Sequence, residues 1–211
     1  AALSDRIIKK ALDLGITYFD TAAAYQDSEE KLGAALAGAP DTVVIASRSM
    51  AYKMGADAFR QEFEQSLRRL RRDRVDFYGF HAVNQPPDLE QATGAPLDFL
   101  REQQQRGRVR HIAITGHNPV TLARALTTGA FAMAMFPFNI IEQEPLQELF
   151  AAARRRGVAT SIMKPLAGGV IESKALALRF FFAHEPGVVT PGMASEREVE
   201  ENVRVFTERR V

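Results

Sequence analysis

The feature that most limits the fold is a rhythm. A short apolar run, an end residue that is mostly polar, and then an amphipathic stretch recur seven times along the 211 residues. The runs are Ile16–Asp20, Val43–Ser47, Asp76–His81, His111–Thr115, Ala132–Asn139, Val158–Lys164 and Val188–Pro191, and their last residues follow one another at intervals of 24 to 34. Each run is too uniformly apolar for a sheet with one wet face, so the pattern predicts parallel strands covered by helices. One interval is one strand–helix unit, which favours a (β/α)8 TIM barrel. A doubly wound sheet would more often follow its first strand with a Gly-x-Gly-x-x-Gly turn, which is missing. Seven strands are legible where such a barrel closes with eight. The expectation is therefore a single α/β barrel domain over residues 1–211, with its first strand missing ahead of Ala1.

The helices carry their own punctuation. Ser4 is expected to cap a first helix that buries Leu3, Ile7, Ile8, Ala11 and Leu12 and stops at Gly15. Phe59, Phe63, Leu67 and Leu70 line one face of another, at spacings of four and three. Asn118-Pro119 reads as a cap with proline at the first helical position, and Gly129 as that helix's end. A helix from Pro145 to Arg156 ends in three arginines, and Ser195 to Glu198 reads as a capping box.

Composition narrows the partners. The formal charge of +1 arises from interspersed charges, without the one-sided basic excess that binding a phosphate backbone requires, so no nucleic acid is expected. The absence of cysteine excludes disulfides, thiolate catalysis and iron–sulfur clusters within these residues, and it fits a reducing, cytoplasmic setting. The longest apolar run, Phe131 to Phe138, is far short of a membrane helix, and no membrane association is expected.

Active sites of this fold gather at the C-terminal ends of the strands. Asp20 ends its strand in "ITYFDTAAAYQDSEEKLGAAL", Tyr25 lies in the loop that follows, Arg48 directly follows another strand, and His81 closes "VDFYGFH". One such residue alone is ordinarily a helix cap or a backbone partner; an acid, a phenol, a permanent cation and an imidazole at one mouth are a candidate catalytic set. His117 lies on the same face, whereas His111 and His184 read as structural. No ligand spacing supports a metal site among Asp20, His81 and His117. The basic run Arg68 to Arg74 reads as a solvated helix face, and Met133, Met135 and Phe136 as core.

At these residues the sequence resembles the aldo-keto reductase family. "GITYFDTAAAY" with "SEEKLGAAL" is similar to that family's signature, and "SLRRLRRDRVDFYGFH", "GRVRHIAITGHN", "MKPLAGG" and "PGMASEREVEEN" follow in the family's order. The resemblance implies a cytoplasmic oxidoreductase that reduces a small-molecule carbonyl substrate with NADPH or NADH through an Asp–Tyr–Lys–His tetrad. Asp20, Tyr25 and His81 match it; Arg48 stands where the lysine would be. Hydride delivery to a carbonyl carbon builds negative charge on oxygen, so a proton donor and a hydrogen-bond donor must be aimed there. Tyr25 would donate, His81 orient, Asp20 hold the cation, and Arg48 keep the positive charge with a longer, planar fork.

The same resemblance implies cofactor contacts at Thr115, Gly116, Asn139, Lys164, Pro165, Leu166, Gly168, Gly192, Met193, Glu198, Glu201 and Asn202. Several depart from the family pattern. Thr115-Gly116 replaces a Ser-Asn pair, Met135 a glutamine and Met163 a stacking tyrosine, while Gly192 and Glu198 fall where basic residues usually hold a 2′-phosphate. These departures leave an alternative beside the reductase: a barrel of the same ancestry that binds nucleotide or a protein partner without efficient turnover.

Overall fold

The computed structural model of the protein describes residues 2–208. Strands β1 (Tyr18–Asp20), β2 (Val44–Ser49), β3 (Val75–Phe80), β4 (Val109–Thr115), β5 (Met133–Pro137), β6 (Ala159–Met163) and β7 (Val188–Val189) form one parallel sheet in chain order. The sheet curls, and helices cover its outer side. In chain order these are α1 (Leu3–Asp13), α2 (Ser28–Ala35), α3 (Ala56–Leu70), α4 (Pro86–Thr93), α5 (Ala95–Gln105), α6 (Pro119–Leu126), α7 (Leu149–Arg156), α8 (Lys174–Arg179) and α9 (Glu196–Thr207). All seven expected strands are present, but β2 runs two residues past its expected end, so Arg48 lies within it rather than after it; the other end residues close their strands or follow them by one or two positions. No helix of the described residues is long and apolar enough to cross a membrane.

The apolar stripes account for the packing. Phe59, Phe63, Leu67 and Leu70 of α3 are all buried, as their spacing requires. Phe59 stacks on Phe80 with ring centroids 5.2 Å apart, and Phe63 meets Tyr78 edge-on at 4.9 Å, which seats α3 on β3. Helices α2 and α3 approach so closely that a Cβ on Gly33 would lie 2.5 Å from the Arg69 carbonyl oxygen. Only glycine permits that contact.

Three local expectations are corrected. Ser4 does not cap α1: the helix starts two residues earlier than that cap implies, with Ala2 in the capping position and no side-chain bond, and Leu3 is 52% exposed. The helix expected from Pro145 is split into a 3-10 turn, Glu144–Leu146, followed by α7, because Glu148 leaves helical geometry between them. The box at Ser195 is half formed: its hydroxyl accepts from the Glu198 N–H, but the Glu198 carboxylate turns back to the Ala194 N–H. Asn118 caps α6 as expected, accepting from Val120 and Thr121.

Among the described strands, β1 pairs only with β2 and β7 only with β6. Thr17 and Thr21 direct their backbone bonds to Val44 and Ala46, so strand alternation turns the main chain of Tyr18 and Asp20 toward the open side. Outside that seam the helical layer is continuous. Helices α1 and α9 meet through Lys10–Glu200 at 2.7 Å and Arg6–Glu196 at 3.5 Å. Behind them lies a groove of about 890 Å³, with Ile7, Ile8, Val203 and Phe206 on its outer wall and Asp20, Tyr25, Arg48, Met135 and Met163 on its inner side.

Candidate active site

Asp20 ends β1 and Arg48 lies near the end of β2, so strand register alone brings them together: Asp20 is paired with Ala46, two residues before Arg48. Arg48 Nη1 donates to Asp20 Oδ2 at 2.5 Å, and Nη2 donates to the Tyr25 hydroxyl at 3.2 Å. One guanidinium therefore joins the acid to the phenol, a bridge that a lysine ammonium could not make with the same fixed fork. Arg48 is buried, whereas Tyr25 is 45% exposed, so the pair is enclosed and the phenol faces outward. Burial holds the Asp20 carboxyl above its ordinary value, and the charge and hydrogen bond of Arg48 offset that only in part. Burial would also lower Arg48, but Asp20 and then Tyr25 outweigh it and hold the guanidinium above its ordinary value. Arginine does not release its proton in proteins, so the cation persists, and its contact with Asp20 has ion-pair geometry.

His81 follows β3 and presents its ring edge-on to Tyr25, with centroids 5.5 Å apart. Its Nδ1 is enclosed without a hydrogen-bond partner, which leaves Nε2 as the nitrogen able to reach a ligand. Burial first, then the charges of Arg48, His117 and Lys53, push the imidazole down to about 4. The ring is thus neutral at neutral pH. A histidine depressed in the folded state contributes stability above its unfolded value of about 6.5 that is lost as pH falls toward the folded one. We therefore expect urea unfolding to show stability declining between about pH 6.5 and 4 in the wild type, and less steeply in His81→Gln. Equal slopes would show that His81 titrates normally.

Backbone strain collects around these side chains. Gln26 (φ 49°), directly after Tyr25, Ala82 (φ 59°), directly after His81, and Lys164 (φ 53°), after β6, are all left-handed without being glycine. Such residues cost on the order of 1–3 kcal/mol each and persist where the surroundings over-determine them.

The expected cofactor positions divide into two groups. Gly192, Met193 and Asn202 line the groove together with Asp20, Tyr25 and Arg48. The Thr115 hydroxyl accepts from the Ala82 N–H at 3.3 Å and keeps its own proton to donate, whereas the Asn139 amide is engaged in bracing its own loop through Glu142, Ile141 and the Lys164 carbonyl. Gly116 is required by space, since a Cβ there would lie 2.3 Å from the Val83 carbonyl oxygen. Lys164 and His117 share a second hollow with Glu142, and burial followed by Lys164 lowers the His117 imidazole. Pro165, Leu166 and Gly168 continue the turn after β6, with Gly168 left-handed. Glu201 is turned to Arg197.

Glu198 is not the bare negative charge that its position suggests. Lys174 of α8 donates to its carboxylate at 2.8 Å, and this contact, with the Ala194 N–H, holds Glu198 below the usual carboxylate range. Two further charges escaped the sequence reading. Glu29 is 1% exposed, and Arg69, expected on a solvated face, turns inward to reach it at 2.7 Å. The partners are 40 residues apart in the chain, a separation that no local pattern reports.

Residues 2–176 match the family model described as Aldo/keto reductase family. Among curated relatives, the aldo-keto reductase YhdN of Bacillus subtilis (strain 168) is 26% identical over 179 residues, covering 79% of this chain and 53% of that protein. L-galactose dehydrogenase of Arabidopsis thaliana is 27% identical over 246 residues, covering 95% of this chain and 77% of that protein. The chain thus spans only about half the length of the first of these relatives. Among solved structures, the holo form of an aldo-keto reductase from Bacillus halodurans superposes with a TM-score of 0.86 at 22% identity, over 98% of this chain and 82% of that one. An aldo-keto reductase from Klebsiella pneumoniae in complex with NADPH gives 0.83 at 22% identity, over 98% and 81%. These likenesses establish the shared (β/α)8 architecture, and with the match to the family model they place the chain in the aldo/keto reductase family.

Proposed function

We propose that the protein, as one barrel domain over residues 1–211, reduces an aldehyde or ketone with hydride from NADPH or NADH, with Tyr25 as the proton donor. The observation that carries this reading is the hydroxyl of the partly exposed Tyr25, hydrogen-bonded at 3.2 Å to a buried cation that Asp20 holds in place. The fixed positive charge beside that hydroxyl stabilises the negative charge growing on a carbonyl oxygen as hydride arrives. Asp20 positions Arg48, and neutral His81 orients the substrate oxygen through Nε2. The groove that holds Tyr25, Met135 and Met163 also reaches Gly192, Met193 and Asn202, where the family resemblance implies cofactor contacts. Bound there, the cofactor supplies the hydride. Met135 and Met163 would offer thioethers to its nicotinamide end, so few polar side chains would grip the amide, in keeping with the departures read from the sequence. Loss of reduced-nicotinamide absorbance with a panel of aldehydes and ketones tests the reading. No consumption with any of them, despite cofactor binding, would favour the binding-module alternative.

Cofactor preference follows from α9. Gly192 offers no side chain, and Glu198 offers a carboxylate already joined to Lys174, so a 2′-phosphate would compete with that carboxylate for the ammonium. A charge-assisted hydrogen bond is worth about 1.5–3 kcal/mol, or roughly tenfold to a hundredfold in affinity. NADH is expected to bind at least as tightly as NADPH. Glu198→Arg, which replaces the competing carboxylate with a cation, should swing the preference toward NADPH. Titration of both cofactors against both proteins decides the matter, and a clear NADPH preference in the unmodified protein overturns it.

A further inference from the structure

The loop that carries Tyr25 hangs between two anchors on β2. On its near side it extends the parallel ladder beyond β1: the Thr21 N–H donates to the Ala46 carbonyl and the Ala23 N–H to the Arg48 carbonyl, both at 2.9 Å. The chain then leaves the ladder, passes Tyr25 and turns left-handed at Gln26. On its far side the first turn of α2 returns to the same strand through a side chain. The Ser47 hydroxyl donates to Glu29 Oε1 at 2.5 Å, while Arg69 Nε of α3 donates to Oε2 at 2.7 Å. Arg69 is held in turn by Glu62. The two anchors are consecutive residues, Ser47 and Arg48, and the second carries the guanidinium that meets the Tyr25 hydroxyl.

We propose that Glu29 is a positioning residue for the proton donor: by tying α2 to Ser47, it sets the height of the Tyr25 hydroxyl above Arg48. A carboxylate as deeply enclosed as this one is costly to bury unless its oxygens are paired, and here each oxygen has a donor from a different element. The arrangement exceeds what capping α2 would need, because neither bond goes to that helix's own backbone. A second tie crosses the loop itself, where the Thr21 hydroxyl donates to Ser28 Oγ at 2.8 Å, but of the two only the Glu29 link fixes α2 to β2; its loss lets the loop shift relative to Arg48 while the Arg69 contact still holds α2 against α3.

This inference rests on Tyr25 being the proton donor, and its test separates the two claims. The ring Cζ NMR signal of Tyr25, assigned by its disappearance in Tyr25→Phe, reports the hydroxyl's hydrogen bond without any turnover. Ser47→Ala removes only the strand end of the link, Glu29→Ala removes both ends, and Glu29→Gln keeps a group able to bond Ser47 and Arg69 together. The expected result is a displaced Tyr25 signal in Ser47→Ala and Glu29→Ala and a wild-type signal in Glu29→Gln. Alongside it, kcat for carbonyl reduction should fall about tenfold in the first two, the equivalent of one hydrogen bond, with cofactor affinity unchanged. Should Glu29→Ala not fold, Ser47→Ala alone carries the test. An unmoved Tyr25 signal in folded Ser47→Ala overturns the proposal and leaves Glu29 a brace between helices. A displaced signal in a protein whose wild type reduces no carbonyl upholds the positioning role and removes the reductase reading instead.

Discussion

Tyr25→Phe is expected to lower the proposed carbonyl reduction by roughly 10²-fold or more, the low end of what a positioned general acid contributes. The substitution deletes one oxygen. The ring keeps its edge contact with His81 and its place near Arg48, whose guanidinium carbon lies 5.5 Å from the ring centroid. Stability should change little, because the lost hydroxyl lies on a side chain that is 45% exposed, where water can replace it as the partner of Arg48 Nη2. The loss should therefore appear in kcat, with cofactor affinity and unfolding midpoint near wild type. Turnover that survives the substitution would assign the donated proton to another group.

Arg48→Met is the substitution with the largest expected cost to the fold. It leaves the Asp20 carboxylate, whose side chain is 10% exposed, without its cation, and breaking a buried pair from one side costs about 3–5 kcal/mol. Denaturant unfolding should show that loss. Adding Asp20→Asn should recover a large part of it, since the stranded charge is then gone. Arg48→Lys should fold, but a single ammonium serves as a point charge rather than a fork spanning Asp20 and Tyr25 together. An Arg48→Met protein as stable as wild type would mean that Asp20 is neutral in the fold, against the ion-pair reading.

The sequence carried the fold and the outline of the site well, because both are written in local pattern. An apolar run with an end residue is a strand and its C-terminal edge, and a barrel collects those edges on one side; Asp20, Arg48 and His81 follow from that alone. Tyr25 was legible as the loop residue after the acid. What stayed hidden depends on groups that meet only after packing. Arg69 reads as one more charge in a basic run until Gly33 lets α2 lie against α3, and Glu29 reads as one more acid at a helix start until Ser47 arrives from another element. Lys174 and Glu198 are 24 residues apart, on helices whose approach no periodicity announces. The bond from the Ala82 N–H to the Thr115 hydroxyl was equally hidden, because it depends on the turn after His81. Residue type was readable, whereas the commitment of each polar atom was not.

The close seat of α2 on α3 leaves Gly33 no tolerance. A Cβ there would meet the Arg69 carbonyl oxygen at 2.5 Å and the Leu70 carbonyl carbon at 2.6 Å, so any larger residue has to pry the two helices apart, and the segment that carries Tyr25 runs straight into one of them.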